Sequence, residues 1–181
     1  MTDEAVILLL GLLTVAAWAA SAFLAAGILS GRARPAVSLV IAGQEVPLAL
    51  LVAAVTTAGS LWLSYGAGFT PCNLCWYQRI AAYPLVPILA VAAFSGDRLV
   101  RRYVLPLCGI GAAISVFHIL VERFPWLEES DGLCDPNNPC ALRWIEEFGF
   151  LTIPMMALSA FVLIALLMAH THVNDPEEGD N

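Results

Sequence analysis

Lysine is absent from this chain, and charge of either sign is scarce, at 13% of its 181 residues. A soluble domain carries charge on about a quarter of its residues, so an ordinary water-facing surface is excluded. The 8 basic side chains are all arginine and the net charge is −7. That sign is wrong for phosphate and excludes a nucleic-acid partner. A basic start is also missing: Thr2, Asp3 and Glu4 precede the first apolar run, which is far longer than the apolar core of a signal peptide. The run reads as a retained helix, with cleavage among the small residues 25–27 as the alternative. No linker divides the chain into independent units, and no internal repeat is evident. The missing lysines and the acidic tail fit an acidic, high-salt proteome, or a codon bias.

What is present is apolar: 60% of the residues are hydrophobic. A bilayer core takes about 20 apolar residues per helix, and runs near that length lie at 5–29, 46–66, 76–96, 103–121 and 148–169. Among them, only the third carries a charge, Arg79. The pattern predicts an all-α integral membrane four-helix bundle with one additional N-terminal transmembrane helix. Residues 1–45 form that extra helix and its connection, 46–169 the four-helix core, and 170–181 an acidic cytoplasmic tail. Within the first connection, 37–41 could form a short interfacial hairpin or strand. Pro84 and Pro87 should kink the third span, since each lacks a backbone N–H and crowds the preceding turn. Gly109 and Gly111 permit close helix approach in the fourth.

Arg32, Arg34, Arg98, Arg101 and Arg102 fall in two short connections, which the positive-inside rule places in the cytoplasm. Alternation then puts the N-terminus and the 66–75 and 122–147 connections outside. Two cysteine pairs, Cys72/Cys75 and Cys134/Cys140, land together on the extracytoplasmic face of a multi-pass protein of the cytoplasmic membrane. Disulfides persist on that side.

Cys72 lies just before or at the start of the third span, and Cys75 falls in its first turn. A thiol there faces unpaired backbone N–H groups and the positive end of the helix dipole, which favour thiolate. Arg79, four residues on, shares the Cys75 face one turn deeper. Its guanidinium can lower the thiol pKa further and hold an electron-rich oxygen. Alternatively it is a snorkelling interfacial charge. Trp76 and Tyr77 suit the membrane interface and read as belt residues before substrate contacts. The Cys-x-x-Cys could also be a structural disulfide, or half of a zinc site completed by Cys134 and Cys140.

Cys134 and Cys140 close a polar, turn-rich segment. So short a loop restrains the unfolded chain by only about 2 kcal/mol, a modest reason for a structural staple. An exposed disulfide in such a loop is open to attack by another protein's thiolate. Trp126, Leu127, Leu133 and Trp144 could lay the loop on the membrane or pack against helix ends. Cys108, mid-span, reads as an apolar filler. His118, toward the outer end of the same span, has either a role near an acceptor site or a hydrogen-bonded packing role. His170 and His172 carry no signal.

The string Thr70-Pro71-Cys72-Asn73-Leu74-Cys75-Trp76-Tyr77-Gln78-Arg79-Ile80 with Tyr83-Pro84-Leu85 resembles the disulfide bond formation protein B family, especially its Bacillus-type branch. The resemblance continues through Tyr103-Val104-Leu105-Pro106-Leu107, Ile114-Ser115-Val116-Phe117-His118, the Cys134/Cys140 pair and Phe150-Leu151-Thr152-Ile153-Pro154. The span 5–29 is the departure, since four-helix members lack it. The resemblance implies a quinone-dependent thiol oxidase, with a quinone of ubiquinone or menaquinone type. Cys134 and Cys140 would take electrons from a thioredoxin-fold, DsbA-like dithiol oxidase outside the membrane and exchange with Cys72 and Cys75. Cys75 would face the quinone, Arg79 would orient it, and His118 would sit nearby. A membrane oxidoreductase resembling vitamin K epoxide reductase is the rival enzyme, but in that family the quinone-side Cys-x-x-Cys lies late in the bundle. A disulfide-stapled or metal-binding membrane protein is the non-enzymatic alternative.

Overall fold

The computed structural model describes residues 3–29, 39, 41–97, 99–131, 134, 135 and 137–174. Arg32, Arg34, Arg98, Leu133, the acidic residues from Asp175 onward and most of 37–41 lie outside the described residues.

Among the described residues seven helices follow in order: α1 (Asp3–Leu29), α2 (Glu45–Tyr65), α3 (Asn73–Ala82), α4 (Leu85–Ser95), α5 (Arg101–Arg123), α6 (Trp126–Asp131) and α7 (Ile153–Asn174). Among the described residues there is no β-strand beyond two isolated bridges, Asp135 with Asn138 and Glu147 with Leu151. Helices α1, α2, α5 and α7 and the joined pair α3–α4 give 5 segments long and apolar enough to cross a membrane. The protein is an all-helical, multi-pass membrane protein.

The third span breaks where the prolines predict, but only one of them acts. Pro84 cannot donate to the Ile80 carbonyl, so α3 ends at its cap Tyr83 and α4 starts afresh at Leu85. Pro87 falls in the first turn of α4, where a backbone N–H has no intrahelical partner to lose.

Helix α7 is the axis of the bundle, packed against α5, α1 and α2, while α2 packs on α4 and α3 on α5. Its window is 50% buried against 17% for α1, because three helices pack on α7 whereas α1 packs mainly on one. One of the two glycines expected to bring helices close does so. A Cβ on Gly111 would stand 2.3 Å from the Phe161 ring of α7, whereas one on Gly109 would meet nothing. Small residues along α1 are buried: Gly11 lies against Phe148 and Leu151, and Ser21 and Gly27 let the helix lie close to its neighbours.

At the end away from the cysteines, His170 is buried against Glu45, with Nδ1 3.3 Å from Oε1. This joins the start of α2 to the end of α7. Sequence alone carried no signal for it.

Candidate active site

The site is built on the first turn of α3. Cys72 is the N-cap, with extended backbone, and its sulfur accepts from the Cys75 N–H at 3.4 Å. A thiol thus occupies the position usually held by a hydroxyl or carboxylate. The two sulfurs are free thiols 3.1 Å apart. His118 of α5 brings Nε2 to 3.7 Å from the Cys72 sulfur. Hydrogen bonding from the Cys75 thiol, and then from the His118 ring, outweighs burial and holds the Cys72 thiol down at about 4. The sequence placed the thiolate-favouring geometry at Cys75; in the fold the donors converge on Cys72, because it is the capping residue.

His118 links the two pairs. The Gln78 amide nitrogen, 3.5 Å from Nδ1, can only donate, so Nδ1 accepts and the proton lies on Nε2. That N–H donates to the Cys140 carbonyl at 3.1 Å, beside the Cys72 sulfur.

Cys134 and Cys140 form a disulfide. Cys140 is buried and Cys134 half-buried, so the two residues are unequal: Cys134 is the more accessible to solvent. Two contacts seat the loop. The Glu128 carboxylate accepts from the Cys140 N–H at 2.6 Å and the Ala141 N–H at 3.3 Å. Asn138 Nδ2 donates at 3.0 Å to the carbonyl of Pro71, next to Cys72. Both pairs consequently share one small apolar cluster with Leu74, Val121, Ile114 and Phe117.

On its other side α3 faces a cavity of about 420 Å³ between α1, α2, α3 and α7. Cys75, Gln78 and Arg79 line one part of it, while Leu51, Val55 and Leu63 of α2 and Ala157 and Phe161 of α7 make the rest apolar. Arg79 is held there: Nη2 donates to the Ser60 carbonyl at 3.1 Å and to Ser64 Oγ at 2.5 Å, and the guanidinium lies 5.2 Å from the Trp76 ring centre. It therefore does not snorkel freely. The polar patch beside a long apolar body fits an amphiphile with a polar head and a hydrocarbon tail.

The structure gathers all six sequence-selected residues into this region but divides them. Cys75 and Arg79 line the cavity, whereas His118 does not, lying instead between Cys72 and Cys140 on the α5 side. The zinc set of four cysteines is not assembled, since Cys134 and Cys140 are bonded to each other. Cys72, Cys75 and His118 do bring donor atoms within 4.8 Å of one another. Trp144 stacks on Phe69 at 5.4 Å and Leu127 joins the cysteine cluster, while Trp126 stays exposed. Cys108 is buried in the main core, as a filler should be. Sequence reasoning assigned no role to Gln78, Glu128, Asn138, Ser60 or Ser64. Gln78 had a signal, three residues beyond Cys75 on the same helix; the others act across large sequence separations.

Residues 45–171 match the family model described as disulfide bond formation protein DsbB. Disulfide bond formation protein C of Bacillus subtilis is 48% identical over 118 residues, 65% of this chain and 85% of that protein. A probable disulfide formation protein of Oceanobacillus iheyensis is 43% identical over 110 residues, 61% of this chain and 76% of that protein. A probable disulfide formation protein C 1 of Bacillus cereus is 40% identical over 112 residues, 62% of this chain and 80% of that protein. No solved structure matches. A five-span helical membrane protein with paired cysteines on adjoining segments, matched over most of its length by this model, belongs to the DsbB family of disulfide bond formation proteins.

Proposed function

We propose that the chain is a membrane thiol:quinone oxidoreductase that reoxidises a thioredoxin-fold, DsbA-like dithiol oxidase and passes the electrons to a membrane quinone. The observation that carries this reading is the division of one Cys-x-x-Cys between two environments. Both sulfurs touch the cluster of the loop disulfide, but of the two only Cys75 also lines the elongated cavity beside Arg79.

The partner's thiolate attacks the half-buried Cys134, breaking the Cys134–Cys140 bond. The partner's second thiol then closes its own disulfide and leaves the loop as a dithiol. Cys140, held beside Cys72 through His118 and Asn138, attacks Cys72 of a Cys72–Cys75 disulfide and expels Cys75. Cys134 next resolves the mixed disulfide at Cys140 and expels Cys72 as a thiolate. That leaving group is stabilised by the Cys75 thiol and the His118 ring, and a thiol of low pKa leaves faster. The cavity beside Cys75 and Arg79 would hold a quinone, which would supply a two-electron, two-proton acceptor as the Cys72–Cys75 disulfide re-forms. Arg79 offers its guanidinium to an electron-rich oxygen, while Ser60 and Ser64 hold its plane. Arg101 and Arg102 open α5 at the end away from the cysteines, which supports an extracytoplasmic site by the positive-inside rule.

The test uses the purified full chain with a reduced thioredoxin-fold donor and a quinone. Quinol should form with donor disulfide in equal amounts, and Cys75→Ser or Cys134→Ser should abolish it. Turnover that survives both substitutions would overturn the proposal.

A further inference from the structure

Helix α1 lies outside the span that the family model matches, residues 45–171, yet it is part of the cavity. Leu10, Leu13, Thr14, Ala16, Ala17 and Ala20 line it. From Leu10 to Ala20 this wall runs about 15 Å at 1.5 Å per residue, and the facing wall of α2, from Leu51 to Ser64, about 20 Å. The cavity is thus a channel along the helices, with its polar patch at the cysteine end. Its volume, about 420 Å³, lies within the range of about 300–1,000 Å³ usual for small-molecule sites.

Three features make α1 a shaped wall. Its deep lining positions are alanines, 16, 17 and 20, while the larger Leu8, Leu9, Leu12, Val15 and Trp18 are exposed on the outer face of the helix. Thr14 turns its hydroxyl back to the Leu10 carbonyl at 2.8 Å, which removes a polar group from the channel. The helix is seated mainly on α7, and against α2 the close approach is Leu10 over Gly59, where a Cβ would stand only 2.9 Å from the leucine. The α1–α2 seam is therefore the loosely joined side of the channel.

We infer that α1 forms a tail compartment for the quinone, its alanine face accommodating the isoprenoid chain that the α1–α2 seam admits from the bilayer. This rests on the quinone reading above and adds a determinant that residues 45–171 do not contain.

The experiment compares Ala17→Trp, which fills the channel, with Leu12→Trp, which adds the same ring to the exposed face. Binding is followed by calorimetric titration and turnover by quinol formation, each with a long-tailed isoprenoid quinone and with a tail-less benzoquinone. Ala17→Trp should weaken binding of the long-tailed quinone and raise its KM by about tenfold, the equivalent of about two buried methylenes. The tail-less quinone, kcat and the Leu12→Trp variant should stay within about twofold of wild type, a difference of under about 0.5 kcal/mol. Unchanged affinity for the long-tailed quinone in Ala17→Trp overturns the inference, as does an equal loss for both quinones. Absence of quinone binding by the wild-type chain would instead sink the underlying reading, before any variant is compared.

Discussion

Seating of the disulfide loop should control electron transfer between the two cysteine pairs, and Asn138 isolates that effect. Its side-chain amide donates to the Pro71 carbonyl at 3.0 Å, tying the Cys134–Cys140 loop to the residue before Cys72. Asn138→Ala removes one neutral, half-buried hydrogen bond, worth about 0.5–1.5 kcal/mol. If that energy holds the loop at Cys72, the docking equilibrium constant falls by about two- to tenfold, and internal exchange slows equally where undocked loops predominate. Glu128 gives a graded comparison. Its carboxylate accepts from two backbone N–H groups, at 2.6 and 3.3 Å, and a charged hydrogen bond is worth about 1.5–3 kcal/mol. Glu128→Ala should therefore slow exchange by about tenfold to a hundredfold. The assay starts with the loop pair reduced by excess donor, quenches with a thiol-alkylating reagent and counts the state of each pair by mass. Reduction of the loop by donor, and oxidation of a pre-reduced Cys72/Cys75 pair by quinone, should keep their wild-type rates. An exchange rate unchanged in both variants, or a quinone step slowed as much as exchange, would refute the reasoning.

Three further outcomes follow from the same geometry. Ultraviolet titration of the reduced protein should show a Cys72 thiolate appearing near pH 4, and in Cys75→Ser, which removes the largest stabilising contact, the transition should move upward. Because the folded value is depressed below that of an unfolded thiol, about 8.5, the thiolate stabilises the fold fully above that pH and ceases to do so as pH falls through about 4; stability that rises on acidification across this window would contradict the assignment. Gly111→Ala should destabilise the protein by about 1–3 kcal/mol through overpacking, since its Cβ meets the Phe161 ring at 2.3 Å, and Phe161→Leu should recover part of the loss in detergent unfolding. Arg79→Lys keeps the charge but cannot present the planar fork that Ser60 and Ser64 hold, so KM for quinone should rise by about tenfold with donor exchange unaltered.

The membrane spans were legible because a bilayer demands long apolar runs whatever the neighbours do, and 5–29 or 103–121 needs no partner to be recognised. The relation of Cys75 to Arg79 was legible for a similar reason: helical periodicity puts residues four apart on one face. The break at Pro84 was readable from its missing donor, but the silence of Pro87 required knowing where the next helix begins. What local pattern could not supply was adjacency. Nothing in the spacing of α7 marks it as the axis, and nothing around Gly109 and Gly111 says which of them meets Phe161. Glu128 reaches Cys140 and Ser64 reaches Arg79 only because distant segments pack together. His118 was noticed for being polar inside a span, but its side of α3 depended on α5 lying opposite the cavity.

Cys72 is at once a capping residue and a redox centre, and this binds two free energies into one cycle. As a thiol or thiolate its sulfur accepts the Cys75 N–H at the start of α3, and bonding to Cys75 changes what that sulfur can accept. An N-cap is worth about 0.5–2 kcal/mol, and whatever share belongs only to the reduced form raises the reduction potential of the pair, by up to about 10–40 mV for a two-electron couple. The pair then draws electrons from the loop more strongly and yields them to the acceptor less readily. Substituting the residues that order the first turn of α3 should therefore shift the potential without touching either sulfur.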